Sequence, residues 1–266
     1  MAQVYKRDGK RAVYCAQGWN AALSLDAAAA GSYDVAVVGY PHVMPSLRGA
    51  PLRAFCRAAS AAGCCVALDV NEAFDAADAP LGAAPDAYAD VGVFHGNLDE
   101  AAACAGAKTR LLAAAGAADS LEAAVDRAAV RAVAAALARR GAGLVLITLG
   151  PRGAYGAAGD AATLRRALGR ACPADVSKLA GASCFRAAFA VDGRVNSVGA
   201  GDAFLAGCVA ALLCGAADLP TILDLGLASA CFKVDDARGA APPARDLRAL
   251  LPSLARLPPF PGSDDD

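Results

Sequence analysis

The sequence predicts an α/β protein: a mostly parallel sheet covered by helices on both faces. Two observations carry this. Short apolar runs alternate along the chain with longer, amphipathic, alanine-rich segments, and strands that alternate with helices assemble into parallel sheets. The polar or glycine residues Asp69, Asn97 and Gly150 fall just after such runs, at the strand ends where open α/β sheets bind ligands.

In order, the opening 1–20 is polar and mixed, with Val4, Tyr5, Val13 and Tyr14 suggesting a strand or hairpin. Buried strands are expected at Asp34–Gly39, at Cys64–Leu68 ending on Asp69, at Val91–Phe94 and at Leu144–Leu149, which stops at Gly150. Helices are expected over 48–62, 98–105, 120–140, 200–213, 221–233 and 245–254. Residues 157–195 read as a long irregular connection with a short helix at 163–170. The organisation expected is 1–22 as a lid or hairpin segment, 23–257 as the core and 258–266 as a flexible acidic tail.

With 266 residues the chain is long enough to bury a core. Hydrophobic residues make up 57%, but many are alanine, which favours helix and buries little area. The net charge is −1 with no basic stripe, which argues against nucleic acid as a partner. Ten cysteines form no Cys-x-x-Cys pair and only His42 and His95 accompany them, so a zinc site has little support. No signal peptide or membrane span is apparent, and the expectation is a reduced, cytoplasmic protein.

The stretch VNSVGAGDAFLAG at 195–207 carries the most chemistry. Gly199 and Gly201 can take positive φ and let a ligand approach the backbone. A helix starting near Ala200 would leave its first N–H groups unpaired and aimed at one spot, an anion pocket reinforced by the helix dipole. Asp202 beside that pocket could take a proton from a hydroxyl that attacks phosphorus. The plain alternative is a first-turn Asp that only complements the dipole. Asn97 and Glu100 have a similar alternative, an N-cap closed into a capping box. Thr148, Gly150 and Gly153 fit a tight strand-to-hairpin turn. No GxxxxGK[ST] exists, and position 204 is Phe, so a strict GxGxxG is absent.

Asn196-Ser197-Val198-Gly199-Ala200-Gly201-Asp202-Ala203-Phe204 resembles the C-terminal signature of the ribokinase-like, or PfkB, carbohydrate kinases. Other segments agree in order: Gln17-Gly18-Trp19-Asn20-Ala21, Leu68-Asp69-Val70-Asn71, His95-Gly96-Asn97-Leu98-Asp99-Glu100 and Leu146 to Ala154. The resemblance implies a ribokinase-like three-layer α/β/α sandwich and ATP-dependent phosphorylation of a sugar hydroxyl. It implies Asp202 as general base and the backbone of Gly199, Ala200 and Gly201 as anion hole. Thr148, Gly150, Gly153, Asn196 and Ser197 would lie on the nucleotide side, with Arg152 a candidate phosphate contact. Asn97 and Glu100 would place Mg²⁺ through waters. A monovalent cation is a further candidate cofactor.

The family's usual Asp and Thr are replaced by Asn196 and Ser197. Its N-terminal sugar-binding portion, with a Gly-Gly-x-x-x-Asn element, has no counterpart, so the lid and first strands are expected to be truncated. A sheet edge left open in this way invites pairing with another chain, and a homodimer is one outcome. Tyr40, Pro41 and His42 follow a strand on the expected sugar side but match no substrate code. Three alternatives stay open: a nucleoside acceptor, an ATP-binding relative without turnover, and a nicotinamide oxidoreductase suggested by the α/β pattern alone.

Overall fold

The computed structural model describes residues 2–7, 10–15, 23, 25, 27–44, 47–71, 79–115, 121–238 and 241–260. The segment Gln17 to Ala21 lies outside them. The chain opens with β1 (Ala2–Arg7) and β2 (Lys10–Cys15), an antiparallel hairpin. Then come α1 (Ala27–Ala30), β3 (Val35–Gly39), α2 (Ala50–Ala61), β4 (Cys65–Asp69), β5 (Val93–Asn97) and α3 (Leu98–Cys104). They are followed by α4 (Lys108–Ala115), α5 (Leu121–Ala124), α6 (Arg127–Ala138), β6 (Leu144–Thr148) and β7 (Ala154–Ala158). The order closes with α7 (Ala161–Leu168), β8 (Ser183–Arg186), α8 (Ala200–Leu213), α9 (Leu219–Val234) and α10 (Ala244–Leu250).

Six strands form one sheet in the order β3-β4-β5-β6-β7-β8. The first four are parallel, while β7 and β8 each run antiparallel to the strand before them. Along β4 every residue is buried, and the two-residue period sends alternate side chains to opposite faces. Val66 and Leu68 join one apolar cluster with side chains of α2, α3 and α6. Cys65 and Ala67 join a second with side chains of α7, α8 and α9. The expected three-layer α/β/α sandwich is the fold found.

The helices follow from their periods and caps. In α2 the buried residues are Leu52, Phe55, Cys56 and Ala59, and in α6 Val130, Val133, Ala134 and Leu137. Both sets are spaced i, i+3, i+4, i+7, the apolar stripe of an amphipathic helix. Helix α8 occupies the predicted 200–213 and ends at Gly215, which has φ 80° as a left-handed stop. Helices α8 and α9 approach so closely that a Cβ on Gly207 would lie 2.6 Å from the Leu225 carbonyl oxygen.

Four details differ from the sequence expectation. The expected 120–140 helix is divided, because Asp126 turns outward to cap α6, its Oδ1 accepting from the Ala129 N–H at 2.8 Å. Strand β5 runs on through His95, Gly96 and Asn97, whose backbone pairs with β6 up to Asn97 opposite Thr148. Helix α4 was not foreseen. The 157–195 connection holds the end of β7, all of α7 and β8. Further on, Phe260 is buried, stacked at 13° on Phe185, and its carbonyl accepts from Arg127 at 2.8 Å.

Nine described cysteines are free. Burial pushes the thiols of Cys56, Cys65 and Cys104 up to about 12, so they pack as small hydrophobes rather than nucleophiles. Among the described residues no helix is long and apolar enough to cross a membrane.

Candidate active site

The parallel strands finish together at one edge of the sheet. Gly39 pairs with Asp69, Asp69 with His95, and Asn97 with Thr148. Tyr40, Asp69, Asn97 and Thr148 therefore stand along the carboxyl edge, where polar side chains are available without breaking the apolar interior.

Helix α8 starts at this edge. Gly199 is its N-cap with φ 79° and ψ 11°, a left-handed conformation that glycine adopts without the Cβ penalty. No side chain caps the start. Ala203 donates to the Gly199 carbonyl at 3.0 Å and Ala200 to that of Ser197 at 3.2 Å. The N–H groups of Gly199, Gly201 and Asp202 have no acceptor among the described residues, the orphan donors of a helix start. The Asp202 carboxylate is exposed beside them.

The turn is held from behind. The Asn196 N–H donates to the Val234 carbonyl at 2.8 Å, and Asn196 Oδ1 accepts from the Val198 N–H at 3.3 Å. Asp235, at the end of α9, is buried. Its carboxylate accepts from the N–H groups of Asp192, Gly193 and Ala237 at 2.9, 2.9 and 3.0 Å and from Arg238 at 2.8 Å. Burial by itself would raise this carboxyl, but the backbone donors and Arg238 outweigh it and hold it below the usual carboxylate range. The approach to the turn is thereby tied to α9.

Three side chains meet the turn from other elements. His95, 2% exposed, shares a hydrogen bond between its Nδ1 and Asp69 Oδ1 at 2.9 Å. Its ring lies 5.3 Å from that of Phe204, and a Cβ on Gly201 would sit 3.3 Å from His95 Cε1. Its Nε2 is buried without a hydrogen-bond partner among the described residues. Lys233 crosses Gly199: a Cβ there would be 3.1 Å from Lys233 Cε and 3.8 Å from its Nζ. Tyr40 reaches across from β3, its hydroxyl donating to Asp202 Oδ2 at 3.0 Å. Tyr40 has φ 58° and ψ 44°. A left-handed aromatic residue ahead of a proline is held against a cost of about 1–3 kcal/mol. A groove of about 580 Å³ between α8, α9 and α10, lined by Ala203, Ser229, Phe232 and Leu247, shares Lys233 with the turn.

Asn97 and Glu100 form the capping box: Asn97 Oδ1 accepts from the Glu100 N–H at 2.9 Å and Glu100 Oε2 from the Asn97 N–H at 2.8 Å. Among the described residues no group of three His, Cys, Asp or Glu side chains could hold a metal. Thr148 ends β6, and the turn after it closes by Leu149 donating to the Gly153 carbonyl at 2.8 Å. Gly153 has φ 99°, and a Cβ there would fall 1.9 Å from the Arg186 carbonyl oxygen; at Gly150 nothing lies within 4 Å. Gly153 is thus required by packing, whereas Gly150 has open space around it among the described residues. Arg152 stacks over Phe260 at 5.1 Å and is taken up by the fold. No hydrogen bond among the described residues joins this turn to the Asp202 turn.

The sequence singled out the turn, Asn97, Glu100 and Thr148. It gave Tyr40 and His95 no role and passed over Lys233. The position of Tyr40 after a strand and before Pro41 was a signal of location only; Lys233 left none, because its approach depends on how α9 packs on α8.

These features define an α/β protein with an exposed carboxylate at a glycine-built helix start, on the ligand-binding edge of a parallel sheet. The chain belongs to the PfkB family of carbohydrate kinases, whose model matches residues 2–245. Kinases of this family are phosphotransferases that act on sugar hydroxyls. A ribokinase from Thermotoga maritima is similar in structure, with a TM-score of 0.60 and 16% identity over 94% of this chain and 69% of its own. A ribokinase from Arabidopsis thaliana, complexed with ribose and ATP, gives 0.57 and 16% over 92% and 66%. A PfkB protein from Polaromonas sp. JS666 gives 0.54 and 21% over 92% and 69%. The chain spans about two thirds of the length of each. The ribokinase-like fold follows from these likenesses. No curated protein matches the chain.

Proposed function

We propose that this chain transfers the γ-phosphoryl group of ATP to a hydroxyl of a sugar. The observation that carries the reading is the exposed Asp202 carboxylate behind the left-handed Gly199 turn, with orphan N–H groups beside it. In the reaction the sugar hydroxyl oxygen attacks the γ-phosphorus, Asp202 takes the hydroxyl proton, and ADP leaves. The backbone of Gly199, Ala200 and Gly201 holds the negative charge on the transferring group, Ala200 by giving up its long bond to Ser197. Lys233 adds a positive charge over the same turn. Thr148, Gly150 and Gly153 on one side, and Asn196 and Ser197 on the other, face the nucleotide.

Mg²⁺, were it bound with the nucleotide, would supply charge neutralisation on the phosphate oxygens. Asn97 and Glu100 fit such an ion as two oxygen donors at the sheet edge, reached through waters, and not as an all-protein cage.

The test is product formation by the full chain over a panel of sugars and nucleosides, with ATP binding followed by calorimetry. Asp202→Asn is expected to lose transfer by about 10²–10⁴-fold while keeping ATP affinity. Normal turnover in that variant would remove Asp202 from its role. Product with nucleosides alone would move the acceptor class, and ATP binding without any product would mark a binding protein.

A further inference from the structure

Asp202 does not face open solvent alone. The Tyr40 hydroxyl donates to Asp202 Oδ2 at 3.0 Å, within the range where a hydroxyl awaiting deprotonation must sit. Tyr40 is held there by a backbone that is unfavourable for its residue type, left-handed and followed by Pro41, which opens a short 3₁₀ turn. Tyr40 is 39% exposed and its ring lies 6.0 Å from that of His42, so its hydroxyl meets Asp202 at the open edge of the sheet and not inside the apolar core. A strained residue whose one polar atom meets the base points to a role at that base.

We infer that Tyr40 is a positioning residue whose hydroxyl holds the Oδ2 position of Asp202 against water until the sugar arrives, an inference resting on Asp202 being the base and on Oδ2 being the oxygen that takes the proton. In the resting site the phenol oxygen occupies the place of the attacking hydroxyl. A water molecule could displace it only by exchanging one hydrogen bond for another, with nothing further gained. A sugar brings additional contacts, and that binding energy offsets the lost Tyr40–Asp202 bond. The reaction suppressed is hydrolysis: a water oxygen bonds to the γ-phosphorus, the bond from that phosphorus to the β,γ-bridging oxygen breaks, Asp202 takes the water proton, and ADP and inorganic phosphate leave.

Tyr40→Phe tests this, since it keeps the ring and the backbone and removes one oxygen. ATP hydrolysis without sugar is measured for the wild-type chain, Tyr40→Phe, and Tyr40→Phe combined with Asp202→Asn. The single variant is expected to hydrolyse ATP at least about tenfold faster, a part of the roughly 10²–10⁴-fold that a positioned base contributes. The double variant is expected to return to the wild-type rate, and the KM for sugar to fall in Tyr40→Phe because no phenol need be displaced. A single variant at the wild-type rate, or a rise that persists in the double variant, would overturn the inference. So would phosphate found on Tyr40 by mass spectrometry, since the hydroxyl would then be an acceptor. If the wild-type chain phosphorylates no sugar, the kinase reading fails; the hydrolysis comparison decides the role of Tyr40 by itself.

Discussion

Gly199 and Asp202 were legible because their chemistry is local: a left-handed turn and a helix start are written in consecutive residues. The partners of that turn were not legible, because each arrives through tertiary packing. His95 comes with β5, Tyr40 with the end of β3, and Lys233 from the last turn of α9. Asn97 and Glu100 show the opposite limit. Their spacing fits both a capping box and a metal-placing pair, and the cap they form leaves the second role to be tested by chemistry. Lys233 gives the clearest prediction at this scale. A unit charge about 4 Å from an anion gains roughly 1 kcal/mol in water and about 4 at an effective dielectric of 20. For an exposed lysine the lower figure governs, so Lys233→Met should weaken ATP binding by about five- to tenfold. It should also flatten the dependence of ATP affinity on salt, which Lys233→Arg should preserve; calorimetry at several salt concentrations reads both. Unchanged affinity in Lys233→Met would leave the backbone alone to hold the phosphates.

Between elements, the contact that sets the site is α8 on α9. It is made close by two glycines, one from each helix. A Cβ on Gly207 would lie 2.4 Å from Ser229 Oγ and 2.6 Å from the Leu225 carbonyl oxygen; one on Gly226 would lie 2.4 Å from Cys208 Sγ and 2.9 Å from the Phe204 ring. At Gly207 the clash includes backbone, which cannot yield as a flexible side chain can, and at Gly226 it is with the buried Cys208 and Phe204 side chains. Gly207→Ala and Gly226→Ala should each destabilise by about 1–3 kcal/mol, the usual cost of overpacking, measured as a shift in urea midpoint. The two should differ in activity. The Phe204 ring lies tilted at 34° against that of His95 behind the turn, so Gly226→Ala is expected to lower kcat in the folded fraction more than Gly207→Ala does. Equal stability to wild type in both variants would show that the helices tolerate a wider spacing.

For the molecule as a whole, the parallel half was readable because Val, Leu and Ile runs mark β3, β4 and β6 without reference to neighbours. The antiparallel extension was not. Ala154-Tyr155-Gly156-Ala157-Ala158 carries little strand signal, and β7 exists because it pairs with β6 through the Gly153 turn and is covered by α6 and α9. A nucleotide binding at this edge would stabilise the folded chain by mass action. At a free concentration of ATP about 100 times its Kd the gain is about 2.7 kcal/mol. Spread over a domain of this size, each kcal/mol shifts the melting temperature by roughly 2–4 °C, so ATP should raise it by about 5–10 °C. On the proposed assignment Asp202→Asn should show the full shift, because a general base would take part in proton transfer and not in holding the phosphates. Thermal melts of the two proteins across an ATP titration read this without any need for the acceptor. A melting temperature that ATP does not move would count against nucleotide binding at this edge, and a shift abolished by Asp202→Asn would place that carboxylate in binding instead of catalysis.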